Sequence, residues 1–193
     1  MSWPRHLVWD QQQKDFVRRA VGANSEIEVV GPIWFTSSNE KLPVFPSLSV
    51  VVFDVQPVSD LYYQSLAPHF DYYIPEVCNQ FLTDIKELSD QLNITIIHKC
   101  KRQIGKLAHY KYLNLINKFS RSDNYIPIES NIAPQIIITS CRAVISMPFT
   151  STAHISKNID VPAIYYDPSG QVECNDKAAN GFEIISGKGG LEI

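Results

Sequence analysis

The chain has 193 residues, 45% hydrophobic and 19% charged, enough for one globular α/β domain or one domain with an attached piece. A formal net charge of −3 provides no global attraction for nucleic acid or an anionic membrane, so no nucleic-acid partner is expected. No apolar run approaches the roughly 20 residues that cross a bilayer, and no signal peptide is expected before the first element. These features predict a cytoplasmic protein without a transmembrane segment, at most peripheral at the inner face of the membrane.

Leu7 to Trp9 reads as a short strand, and Gln11 to Val21 carries apolar residues at helical spacing before Gly22, a stop signal. A second strand is predicted over Ile27 to Ile33, followed by a polar, proline-bearing linker over 36–47. Leu48 to Val55 is a continuous β-branched run, as in a strand buried on both faces. Tyr62 to Tyr73 reads as an aromatic loop with one helical turn. Pro75 then opens an amphipathic helix with Val77, Phe81, Ile85, Leu88 and Leu92 on one stripe.

The remaining pattern alternates. Strands are predicted at Ile94–Ile97, Tyr125–Ile128, Ala143–Met147 and Val161–Tyr166, and helices near Lys106–Phe119, Ala133–Thr139 and Ser151–Ile159. From Leu48 onward this alternation predicts an α/β fold, a Rossmann-like parallel sheet with helices on both faces. Residues 48–193 form that domain, and residues 1–47 are expected to be a residual N-terminal-domain or hinge segment. Both ends look abrupt, so a piece of a larger enzyme is expected. Asn93-Ile94-Thr95 matches a glycosylation sequon and is expected at a buried strand edge.

Ligands of such sheets bind beyond the C-terminal strand ends. The most informative segment lies at one of them: Pro148-Phe149-Thr150-Ser151-Thr152, a turn with three consecutive hydroxyls between a strand and a helix. Unpaired N–H groups and the dipole favour an anion there, and the hydroxyls add donors. Simple capping would need one hydroxyl. His98-Lys99-Cys100-Lys101-Arg102 follows another strand, and His98, Lys99, Lys101 and Arg102 are candidate phosphate ligands. Asp54, Gln56, Glu129 and Asp167 are candidates to line the cleft, although Asp54 also suits a local cap and Asp167-Pro168-Ser169-Gly170 a plain β-turn. Tyr62, Tyr63, Phe70, Tyr72 and Tyr73 could stack on a base or sugar, with packing the commoner role. No dinucleotide fingerprint or P-loop is present. Cys78, Cys100, Cys141 and Cys174 are scattered without a Cys-x-x-Cys pair and read as reduced thiols, so no metal and no cofactor is expected.

The Ser/Thr-rich turn at Pro148 to Ala153, the His98-Lys99 pair and the Val161-Pro162-Ala163 entry to a strand resemble the C-terminal domain of GT-B glycosyltransferases. More narrowly, they resemble the sialyltransferase-like enzymes of bacterial surface polysaccharide biosynthesis, which carry His-Pro where this chain has His98-Lys99. The resemblance covers about residues 48–186. It implies a CMP- or UDP-linked nucleotide-sugar as donor substrate, a separate N-terminal acceptor domain as partner, and a catalytic base outside this chain, so that no catalytic residue is assigned and the isolated chain is expected to be inactive. Helix-terminal donors and cations could stabilise the leaving group without a metal. A nucleotide-sugar epimerase, drawing on Glu129, His98 and Asp54, and a non-catalytic Rossmann-like interaction domain are the alternatives. An exposed inter-domain face leaves a homodimer open.

Overall fold

The computed structural model describes residues 3–22, 24–31, 42–65 and 72–191. The chain divides into two compact units, Met1–Asn39 and Glu40–Ile193.

The first unit is a βαβ element. Strand β1 (Arg5–Val8) pairs in parallel with β2 (Glu26–Val29), in register from Arg5↔Glu26 to Val8↔Val29. Helix α1 (Gln11–Val21) makes the crossover. Asp10 caps it by accepting from the Gln13 amide at 2.7 Å, and Gly22 ends it at φ 86°, a conformation open to glycine at no steric cost. Strand β1 starts before the predicted Leu7–Trp9 and stops one residue short of its end, and β2 is shorter than Ile27–Ile33, each starting and stopping where the ladder does. Half of the predicted linker, residues 36–41, lies outside the described residues.

The second unit is a six-stranded parallel sheet in the order β5-β4-β3-β6-β7-β8. Strand β3 (Ser49–Phe53) is followed by α2 (Asp60–Ser65) and α3 (Pro75–Leu92), then β4 (Thr95–Lys99). Helix α4 (Tyr110–Phe119), β5 (Tyr125–Ile128) and α5 (Pro134–Ile138) complete the first half. Strand β6 (Ala143–Ser146), α6 (Ser151–Asn158), β7 (Ala163–Asp167), a 3-10 turn (Lys177–Ala179), β8 (Glu183–Ser186) and α7 (Lys188–Leu191) form the second. The chain winds outward from β3 to β5, returns to β6 beside β3, then winds outward the other way. That is the doubly wound Rossmann order, and it opens a crevice where β3 and β6 part.

Val51 and Val52 in β3 have no exposed surface, as a strand covered on both faces requires. Helix α3 buries Cys78, Phe81, Leu82 and Ile85 against the sheet, while Leu92 is exposed at the helix end. The buried stripe therefore includes Cys78 and Leu82, which the simple i, i+4 series omits. Phe81 and Tyr166 stack at 5.8 Å in this core, which also holds Ile96, Tyr112, Phe119 and Met147.

Two elements differ from expectation for identifiable reasons. Helix α4 begins at Tyr110 because the preceding backbone is occupied: Ser59 N–H donates to Leu107 O at 2.7 Å and His109 N–H to Pro57 O at 2.9 Å. Strand β8 is a sixth strand that the alternation does not announce, and its four residues pair with β7 from Ile164↔Glu183 to Asp167↔Ser186. Asn93 is exposed as the left-handed C-cap of α3, at φ 53°, and does not sit at a buried edge. Among the described residues no helix is long and apolar enough to cross a membrane.

Candidate functional site

The register pairs Phe53 with Ser146, so Asp54 and Met147 stand on the two sides of the crevice at the C-terminal edge. The Pro148–Thr152 turn leaves β6 there and enters α6. Phe149 takes the left-handed conformation, φ 62°, with a side chain 40% exposed. A bulky residue holds that conformation only where its surroundings enforce it. The enforcing bonds are present. Tyr73 OH donates to Pro148 O at 2.6 Å, Tyr165 OH to Thr150 O at 2.9 Å, and Thr150 Oγ1 to Met147 O at 2.8 Å. Thr152 Oγ1 lies 2.8 Å from Ser146 Oγ and 3.2 Å from Thr150 Oγ1.

Thr150 is thus the N-cap residue of α6 by position, yet its hydroxyl bonds backward and makes no capping bond. The first helical amides therefore receive no side-chain cap. Ser151 is exposed, Thr152 half-buried and Pro148 buried. Two of the three hydroxyls hold the turn, and Ser151 is the one turned outward.

A second cluster lies under β3 and β4. Asp54 Oδ2 accepts from Tyr112 OH at 2.7 Å and lies 3.2 Å from His98 Nε2, both side chains being sealed from solvent. His98 Nδ1 is hydrogen-bonded to Tyr125 OH, and Tyr112 OH is 3.2 Å from Cys100 Sγ. Burial first, and the Asp54 charge second, raise the Tyr112 and Tyr125 hydroxyls, so both remain protonated. The same two causes push the Cys100 thiol up to about 11.

The basic segment is divided by this packing. His98 directs Nδ1 to the Tyr125 hydroxyl and faces Nε2 toward the Asp54 carboxylate inside the protein. Lys99 is buried and its Nζ donates to Ser130 O at 3.0 Å and Cys100 O at 3.2 Å; desolvation lowers its pKa. Lys101 and Arg102 are exposed, and Arg102 lines an open cleft of about 520 Å³ together with His98, Cys100, Glu129 and Asn131. Gln56 is half-buried on the loop after β3.

Asp167 is fully buried and organises its own turn. Its Oδ1 accepts from Ser169 N–H at 2.9 Å, Ser169 Oγ at 2.6 Å and Tyr72 OH at 3.0 Å, and Oδ2 accepts from Val172 N–H at 2.8 Å. Tyr72 and Tyr73, edge to face at 5.1 Å, reach the turns after β7 and β6 with their hydroxyls. Tyr62 is partly exposed, whereas the Tyr63 side chain and Phe70 lie outside the described residues. Tyr112 and Tyr125 are the site-edge residues that sequence reasoning misses: each sits on an apolar stripe where an aromatic reads as core, and only its hydroxyl marks it as polar.

None of the curated proteins compared matches the chain. A family described as "Polysaccharide biosynthesis PFTS motif protein" matches residues 1–192. The letters P-F-T-S occur once in the sequence, as Pro148-Phe149-Thr150-Ser151, the strained turn between β6 and α6. The chain belongs to this polysaccharide biosynthesis PFTS motif family, and its role lies in polysaccharide biosynthesis.

Proposed function

We propose that the chain binds the donor nucleotide-sugar of a GT-B-like glycosyltransferase in polysaccharide biosynthesis, with the Pro148–Thr152 turn taking the donor's phosphate. One observation carries this reading: the family's namesake residues form a rigid turn beside the crevice of a doubly wound sheet, at a helix start whose amides lack a side-chain cap. A phosphate there accepts from the first amides of α6 and from Ser151. The exposed cations Lys101 and Arg102 follow β4, two strands away, a span of about 10 Å at ordinary strand spacing and within reach of a nucleoside diphosphate. His98 and Lys99 then support the edge from within, and phosphate contact falls to the turn and the two exposed cations.

The test is calorimetry with CMP-, UDP- and GDP-linked sugars. Ser151→Ala removes the outward hydroxyl without touching the bonds that hold the turn. The double change with Thr150→Ala removes a turn-holding bond as well. Losses of about 1 kcal/mol for the single and 2–3 kcal/mol for the double change are expected, or roughly 5-fold and 30- to 150-fold in affinity. Unchanged affinity in both would remove the turn from the site. No binding of any nucleotide-sugar by the unaltered chain would favour a non-catalytic interaction domain.

A further inference from the structure

Three side chains from the ends of two neighbouring strands bring donor atoms to one buried point. Asp54 directly follows β3, His98 belongs to β4 and Cys100 directly follows it, and one ligand atom from each lies within 4.8 Å of the others. Two atoms of the group are unsatisfied: His98 Nε2 and Asp54 Oδ1 are enclosed and make no hydrogen bond. The 3.2 Å approach of Nε2 to Asp54 Oδ2 is close in distance but misaligned for a bond. With Nδ1 engaged by Tyr125, Nε2 is the ring nitrogen that faces the carboxylate. Buried groups in that state are unfavourable, and a cation between them satisfies both.

We propose that Asp54, His98 and Cys100 bind a divalent transition-metal ion of the zinc type, with the remaining coordination position facing the cleft that His98 and Cys100 line. The donor set is one carboxylate oxygen, one imidazole nitrogen and one thiolate sulfur. It suits Zn²⁺ or Co²⁺ and does not suit Mg²⁺ or Ca²⁺, which take oxygen ligands. Two of the three ligands are anionic, so their charge balances the ion. On binding, the Cys100 S–H bond is replaced by a sulfur–metal bond and the proton leaves to solvent.

Each ligand already has an outer partner. Tyr112 OH donates to Asp54 Oδ2 and contacts Cys100 Sγ, and Tyr125 OH holds Nδ1 so that Nε2 is the nitrogen left for the metal. Linear spacing hides the set because Asp54 follows β3, whereas His98 and Cys100 stand at the end of β4. Arg102, Glu129 and Asn131 line the same cleft, which supplies an access path. The site does not rest on the donor-sugar reading, and its test uses the metal alone.

Tag-free full chain, stripped by a chelator, is titrated with Co²⁺ and then Zn²⁺. We expect one Co²⁺ per chain, a thiolate-to-cobalt absorption band, the visible bands of four-coordinate cobalt, and displacement by Zn²⁺. Cys100→Ser abolishes the thiolate band, and Cys174→Ser, at an exposed position, retains it. Zinc X-ray absorption on the unaltered chain needs no variant and should give one sulfur at about 2.3 Å with nitrogen or oxygen at about 2.0–2.2 Å. Binding well below one equivalent, a zinc shell without sulfur, or a thiolate band that survives Cys100→Ser overturns the proposal.

Discussion

A carboxylate sealed from solvent requires donors, and Tyr112 supplies one to Asp54 from a position itself without exposed surface. Tyr112→Phe keeps the ring and deletes the hydroxyl. It should lower stability by about 1–3 kcal/mol in urea unfolding, because Asp54 Oδ2 loses its bonded donor. The buried thiols provide a pH test. In the metal-free chain Cys100 and Cys141 are both pushed from an ordinary 9.0 to about 11, burial being the first cause. Between those values the unfolded chain has released protons that the folded chain retains, so stability falls as pH rises from about 9 to about 11. Urea midpoints measured across that interval should decline, and thiol labelling at pH 8 should reach the exposed Cys174 well before Cys100. At this scale residue types were readable in the sequence, but partners were not: Asp54 and Tyr112 are 58 positions apart.

The elements follow from local chemistry wherever that chemistry is strong. Pro75 opens α3, and Asn93 closes it in the left-handed region with its N–H on Ser89 O. Asn93→Gly should leave stability within a few tenths of a kcal/mol, whereas Asn93→Ala should cost about 1 kcal/mol, since alanine gains nothing to offset the left-handed penalty. Thermal or urea midpoints of the pair decide it, and equal effects would mean that the backbone relaxes away from φ 53°. Sequence signals failed where tertiary bonds redirected the backbone. Helical spacing ran back to Lys106, yet Pro57 and Val58 claim the backbone of Leu107 to His109, so α4 starts later. Strand β8 is too short to announce itself and exists because β7 offers it a ladder.

Glu40–Ile193 contains its own core, with Phe81, Ile85, Tyr112, Met147 and Tyr166 packed against the sheet. Residues 40–193 expressed alone should therefore unfold cooperatively, with one transition by circular dichroism and by fluorescence; non-coincident transitions would show that this unit needs residues 1–39. At the scale of the molecule, the sequence by itself determined the α/β alternation, the parallel class of the sheet and the hydroxyl-bearing turn at Pro148–Thr152. These are local properties: side-chain periodicity, β-branched runs, and proline and hydroxyl chemistry within a few positions. Only the tertiary structure decided the order β5-β4-β3-β6-β7-β8, the addition of β8, and the burial of Lys99 away from the cleft. It alone brought Asp54, His98, Cys100, Tyr112 and Tyr125 to one point. The physical reason is that each crossover may pass to either side of the strand before it. Which side it takes is set by how helices and strands from the whole chain pack together, a choice that local periodicity does not encode.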